Sequence, residues 1–142
     1  RTMTTSEDSR AWIKEHRDRY IATNGADGHD WKDVTALLLT TTGRQSGELY
    51  TTPLIYGQDG DRYLVVASKG GAPRHPHWYL NLASDADVEV QVKGEKFAAT
   101  ARTATPEEKP ALWKIMTDLW PAYDEYQSRT DRPIPLIILE RA

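Results

Sequence analysis

Residues 34–56 read VTALLLTTTGRQSGELYTTPLIY, and this stretch decides the fold class. Val34 to Thr42 is apolar and β-branched, Leu49 to Tyr56 is similar, and both suit a pleated, half-buried surface. Gly43-Arg44-Gln45-Ser46-Gly47 between them supplies the loop. Working outward, Asp59-Gly60 is a two-residue hairpin signal, and Arg62 to Ser68 follows as a third strand. Val88, Val90 and Val92 alternate with Glu89, Gln91 and Lys93, which predicts one buried face and one wet face. Gly94-Glu95 turns that strand into Lys96 to Arg102. Ile134 to Leu139 makes a sixth strand, and Pro133 and Pro135 predict an edge position for it.

Helical patterns interrupt this series. Residues 6–23 place Trp12, His16 and Tyr20 on one stripe, with Arg10, Lys14, Arg17 and Arg19 on other faces. A basic helix of this kind lies either on a membrane surface or as a lid on the barrel, and the lid is the expectation. A short helix is predicted from Pro76 to Ala83. Another follows Thr105-Pro106-Glu107-Glu108, with Thr105 as N-cap and Glu108 as its capping-box partner. Pro121 divides that region into a helix to Leu119 and a short one to Ser128. The fold class is therefore α+β, mainly β: about six antiparallel strands in a small closed or nearly closed barrel. An N-terminal helix and loop occupy residues 1–33 and the barrel residues 34–142.

Composition narrows the function. With 18 basic and 21 acidic residues, a net charge of −3 argues against an oligonucleotide-binding barrel. The chain contains no cysteine, which excludes disulfides, thiol nucleophiles and thiolate metal sites and fits a cytoplasmic location. No apolar run reaches membrane-spanning length. Five Trp and seven Tyr against one Phe favour half-open pockets over dry cores.

Three segments carry chemistry. Thr40-Thr41-Thr42-Gly43-Arg44-Gln45-Ser46-Gly47 joins hydroxyls, a guanidinium and glycine-freed amides that suit a phosphate or carboxylate, although a solvated hairpin loop fits the segment equally. Ala67-Ser68-Lys69-Gly70-Gly71-Ala72-Pro73-Arg74-His75-Pro76-His77-Trp78 has no acidic residue and feeds a helix N-terminus, again favouring an anionic ligand. His75 and His77 lack the partners a metal site needs, so no metal is expected. Trp120, Tyr123 and Tyr126 share one side of a short helix, either as core or as the wall of a pocket for a flat organic molecule. No nucleophile with its base and no carboxylate pair is visible, so any reactive chemistry belongs to a bound cofactor.

Leu38-Leu39-Thr40-Thr41-Thr42-Gly43-Arg44, Thr52-Pro53-Leu54, Ala67-Ser68-Lys69-Gly70-Gly71-Ala72 and Trp78-Tyr79-Leu80-Asn81-Leu82 resemble the deazaflavin-dependent nitroreductase family of actinobacteria. Trp120-Pro121-Ala122-Tyr123, Tyr126-Gln127 and Thr130-Asp131-Arg132 continue the resemblance to Ile134-Pro135. It implies a split β-barrel like that of flavin-mononucleotide-binding proteins, and coenzyme F420, a deazaflavin with a phosphate and a polyglutamate tail. It further implies a cofactor site of Thr42, Gly43, Arg44, Gln45, Ser46, Tyr50, Pro53, Leu54, Ala67, Ser68, Lys69, Gly70, His77, Trp78, Tyr79 and Asn81. Ser68, Tyr123 and Tyr126 are the implied catalytic residues, with Trp120, Tyr123 and Tyr126 lining the acceptor side.

The implied reaction is hydride transfer to a small-molecule electrophile: an α,β-unsaturated lactone or ester, a quinone or a nitro-heterocycle. Gln45 and Tyr50 stand where relatives often carry lysine and arginine, leaving Arg74 or Arg17 to compensate, and Trp120 replaces a frequent tyrosine. The alternatives are a flavin-mononucleotide- or haem-binding protein of this barrel class, or a deazaflavin carrier without turnover. The protein is expected as a monomer or homodimer, without a nucleic-acid partner.

Overall fold

The computed structural model describes residues 5–31 and 34–142, with side chains described for residues 13–30 and 34–142. Trp12 of the predicted stripe therefore lies outside the described side chains. The chain opens with helix α1 (Thr5–Thr23) and the two-residue strand β1 (Asp30–Trp31). Strands β2 (Val34–Thr42), β3 (Leu49–Ile55), β4 (Gly57–Asp59) and β5 (Arg62–Val66) follow. After a tight turn at Lys69–Gly71 come α2 (His77–Ser84), β6 (Asp87–Val92) and β7 (Glu95–Thr103). Helices α3 (Lys109–Leu119) and α4 (Ala122–Ser128) precede the last strand, β8 (Leu136–Arg141).

All pairings are antiparallel. The order is β1-β2-β6-β7-β8-β5-β4, with β3 paired to β2 from Ala36↔Ile55 to Thr42↔Leu49. The six long strands stand where the hydrophobic pattern puts them, and the curled sheet is the expected split barrel. β1 and β4 are additional.

Side-chain alternation divides the interior in two. Tyr63, Val65, Ile137 and Leu139 point into the barrel with Leu37, Leu39, Val90 and Trp78. Leu64, Val66, Leu136 and Ile138 point the other way, against Leu112, Met116 and Tyr123 of α3 and α4. A strand buried on both faces reads as an unbroken apolar run.

That explains one correction. β8 is not an edge strand but lies between β7 and β5. Pro133 and Pro135 precede its ladder and remove no amide from it, and Pro135 O accepts a bond from Ala67 N–H at 2.9 Å. Two turns also shift by one residue. Asp59 pairs with Arg62, so Gly60-Asp61 forms the hairpin loop, with Gly60 at φ +61° as the first of the two loop residues. Val92 pairs with Glu95, so the next loop is Lys93-Gly94.

Gln91, on the predicted wet face, is buried. The cause is α1, whose Tyr20 reaches over the sheet. Its hydroxyl accepts from Lys93 N–H at 2.7 Å and shares its proton between Ala36 O (3.1 Å) and Gln91 O (3.3 Å). His16 donates to Gly28 O at 2.7 Å from the same buried side. The Thr105–Glu108 capping box forms reciprocally, at 2.8 and 3.3 Å, one turn ahead of α3. Among the described residues no helix is long and apolar enough to cross a membrane.

Candidate active site

β2 and β3 end in the loop at Gly43–Glu48, and α2 packs beside it. The loop closes on itself through Gly43 N–H to Glu48 O (2.7 Å) and Gly47 N–H to Gly43 O (2.9 Å). A Cβ on Gly43 would meet Ser46 Oγ and the Tyr50 ring at 2.7 Å, so only glycine lets these two close in. Ser46 Oγ lies 3.2 Å from Tyr50 Oη and accepts from Glu48 N–H.

Asn81, buried on α2, holds the loop from behind. Its Oδ1 accepts from Arg44 Nη1–H (2.8 Å) and Arg44 N–H (3.2 Å), while its Nδ2 donates to Thr41 Oγ1 (3.2 Å). Between loop and helix opens a cavity of about 430 Å³, within the usual range for small-molecule sites. It is lined by Gly43, Arg44, Gln45, Ser46, Tyr50, Thr52, His77, Trp78 and Asn81. The first turn of α2 adds peptide N–H groups and the positive end of its dipole. A guanidinium, a helix N-terminus, the Ser46 hydroxyl and no lining carboxylate form an acceptor for anions.

The second region adjoins the first through Trp78, which shares the barrel core with Ala67. Ser68 is buried and its hydroxyl makes no capping bond. The chain then turns sharply, with φ +46° at Lys69, +62° at Gly70 and +80° at Gly71. Gly71 is required by contact: a Cβ there would sit 2.5 Å from Tyr126 O of α4. α4 therefore packs against the turn at Gly71 and brings Tyr126 beside it.

Arg132 fastens the carbonyl side of the turn, donating to Ala72 O (2.7 Å), Ser68 O (2.7 Å), Ala67 O (3.2 Å) and His75 Nδ1 (3.1 Å). Burial, helped by that guanidinium, pushes His75 below its ordinary value and keeps it neutral.

The expected residues thus divide into groups. Gly43, Arg44, Gln45, Ser46, Tyr50, His77, Trp78 and Asn81 converge on the cavity. Ala67, Ser68, Lys69 and Gly70 form the adjacent turn. Thr42 lies at the end of β2, Pro53 and Leu54 on β3, and Tyr79 on α2, its ring 4.7 Å from that of His75. Trp120, Tyr123 and Tyr126 pack on the outer core cluster, with Tyr123 and Tyr126 edge-to-face at 6.1 Å. Tyr123 is buried, which raises its hydroxyl well above the ordinary tyrosine value.

Arg17 is taken up by Asp18 at 3.1 Å. Arg74 is exposed in the connecting loop. Thr52 was legible only as part of a motif, and Arg132 carried no signal for its bracing role. Among the described residues no group of His, Asp and Glu could hold a metal.

Residues 12–141 match the sequence profile of a family described as F420H(2)-dependent quinone reductase. The chain belongs to the F420H(2)-dependent quinone reductase family. It is 44% identical over 133 residues to an F420H(2)-dependent quinone reductase of Mycobacterium tuberculosis (strain ATCC 25618 / H37Rv), covering 91% of this chain and 89% of the relative. A solved structure described as an F420-H2 dependent reductase is 42% identical, with a TM-score of 0.69 over 74% of this chain and 93% of its own. Another, described as a domain-swapped dimer, is 38% identical, with a TM-score of 0.72 over 93% of this chain and 99% of its own. Membership makes the protein an F420-dependent oxidoreductase, with coenzyme F420 as its cofactor. The fit is visible in the site: the cavity is an acceptor for an acidic group, and the turn carries amides with no acceptor among the described residues.

Proposed function

We propose that this oxidoreductase reduces quinones to quinols, and that the same site takes α,β-unsaturated lactones or esters and nitro-heterocycles. The observation that carries the reading is the adjacency of the cationic cavity to the Ser68–Gly71 turn, which suits a ligand with an acidic tail and a ring. Gly43, Arg44, Gln45 and Ser46 hold the phosphate, with Thr42, Tyr50 and the N-terminus of α2 around it. Ala67, Ser68, Lys69, Gly70, Trp78 and Tyr79 flank the ring, with Pro53, Leu54, His77 and Asn81 completing the site.

Bound in its reduced form, the cofactor supplies a hydride. The chain's residues orient the acceptor and stabilise the oxyanion that develops on it. Ser68, Tyr123 and Tyr126 are the donors for that oxygen. The Tyr123 hydroxyl makes no hydrogen bond within the described residues, and its burial keeps it protonated at neutral pH. Hydride and one solvent proton convert a quinone to a quinol. The proposed assembly is a homodimer, after the relative described as a domain-swapped dimer.

The test is anaerobic turnover with reduced F420 and a soluble naphthoquinone, read as the returning visible absorbance of the oxidised cofactor. An unsaturated lactone and a nitroimidazole run in parallel, and reduced flavin mononucleotide replaces F420 in a control. Stoichiometric F420 oxidation by the quinone supports the proposal. Tight F420 binding with no turnover on any acceptor identifies a carrier instead.

A further inference from the structure

We propose that Arg132 is a positioning residue, holding two consecutive peptide groups so that the Ser68 and Lys69 amides face the cofactor ring. The inference rests on the placement of the ring at this turn given under Proposed function. It starts from peptide planarity: in a trans peptide the N–H points opposite to the C=O. Arg132 Nη1–H takes Ala67 O at 3.2 Å, and Nη2–H takes Ser68 O at 2.7 Å. These carbonyls belong to the peptides whose nitrogens are those of Ser68 and Lys69. Both N–H groups are thereby turned away from the guanidinium.

The backbone adds a third. Ser68 is right-handed (φ −80°, ψ −39°) and Lys69 left-handed (φ +46°), the alternation that brings successive N–H groups onto one concave face. Neighbouring amides are committed elsewhere: Ala67 to Pro135 O, Gly71 to Ser68 O, and Ala72 to Lys69 O. Those of Ser68, Lys69 and Gly70 meet no acceptor among the described residues.

Arg132 is itself held for this purpose. Gln127 of α4 donates to Arg132 O at 2.9 Å and accepts from Ile134 N–H at 2.9 Å, which fixes the segment between α4 and β8. Arg132 forms no ion pair with a carboxylate among the described residues. Its charge is answered by carbonyl dipoles and neutral His75, so the far side of the turn favours an electron-rich ligand edge. A lysine could not replace it, since one ammonium cannot reach acceptors spread over Ala67, Ser68, Ala72 and His75.

The experiment compares wild type, Arg132→Ala, Arg132→Lys and Arg44→Met. The ligands are oxidised F420 and the 8-hydroxy-5-deazaflavin riboside, which lacks phosphate and tail. Affinities come from fluorescence titration, thermal unfolding checks the fold, and amide NMR shifts of Ser68, Lys69 and Gly70 are followed on riboside addition. Arg132→Ala should weaken both ligands alike, by about tenfold or more, and abolish the amide shifts, and methylguanidine should restore binding in part. Arg132→Lys should fall near Arg132→Ala, while Arg44→Met should weaken F420 and leave the riboside unchanged.

A folded Arg132→Ala that binds the riboside like wild type overturns the inference. So does a loss confined to F420, which would assign Arg132 to long-range attraction of the tail. If wild type binds F420 and shifts its cavity amides but not those of the turn, the ring placement fails. If wild type binds neither ligand, the cofactor reading falls as well.

Discussion

Replacing Asn81 by leucine keeps the shape of the side chain and removes three hydrogen bonds: two from Arg44 to Oδ1 and one from Nδ2 to Thr41. Thr41 is buried, whereas Arg44 is exposed and recovers water as its partner. At about 1 kcal/mol net per bond, with the Arg44 pair discounted for solvent, the loss is about 2 kcal/mol. In a domain of this size that lowers Tm by about 7 °C. The freed loop should weaken F420 binding by about tenfold.

Aspartate at the same position separates the two effects. It keeps the acceptor for Arg44, and the Thr41 hydroxyl can turn to donate to its second oxygen, so most of the stability stays, but it places a carboxylate where the acidic ligand must bind. Asn81→Asp should therefore lose more than tenfold in F420 affinity with a smaller fall in Tm than the leucine variant. Calorimetry with F420 titration at two salt concentrations measures both. Asn81→Asp binding F420 like wild type would refute the view that Arg44 and Asn81 form an anion acceptor.

Gly71→Ala forces a side chain into a residue at φ +80° and against Tyr126 O. It should cost about 2–4 kcal/mol by thermal unfolding and slow acceptor reduction by displacing α4. Tyr20→Phe removes the hydroxyl that joins α1 to Ala36, Gln91 and Lys93. About 1–2 kcal/mol should be lost in denaturant unfolding, with F420 affinity unchanged. His75 sets a pH dependence. Its folded value is lowered, so its contribution is whole above its ordinary value of 6.5 and is lost as pH falls through the folded value. Protonation would turn a second N–H toward Arg132. F420 affinity should therefore drop as the pH falls below about 6.5, a drop that His75→Asn should flatten.

The barrel was legible because its strands carry their own evidence: the valines of β6 alternate, and β5 and β8 are unbroken apolar runs. The prolines before β8 misled because a missing amide matters only inside the ladder. β1 and β4 are too short to show a period. Gln91 looked wet because nothing in its own strand announces that Tyr20, 71 residues earlier, covers it. At the site, loop glycines and basic residues were readable from composition. Arg132 was not, because three of its four acceptors are backbone carbonyls 60–65 residues upstream, which no side-chain pattern encodes.

The two-sided burial of β5 and β8 has a use in engineering. These strands form a party wall: Ile137 and Leu139 furnish one room, Leu136 and Ile138 the other. Adjacent codons therefore tune separate compartments. A library at positions 136 and 138, with 64 and 66 opposite, should reshape the support behind Tyr123 and hence acceptor preference. The barrel interior behind Trp78 would remain as it is.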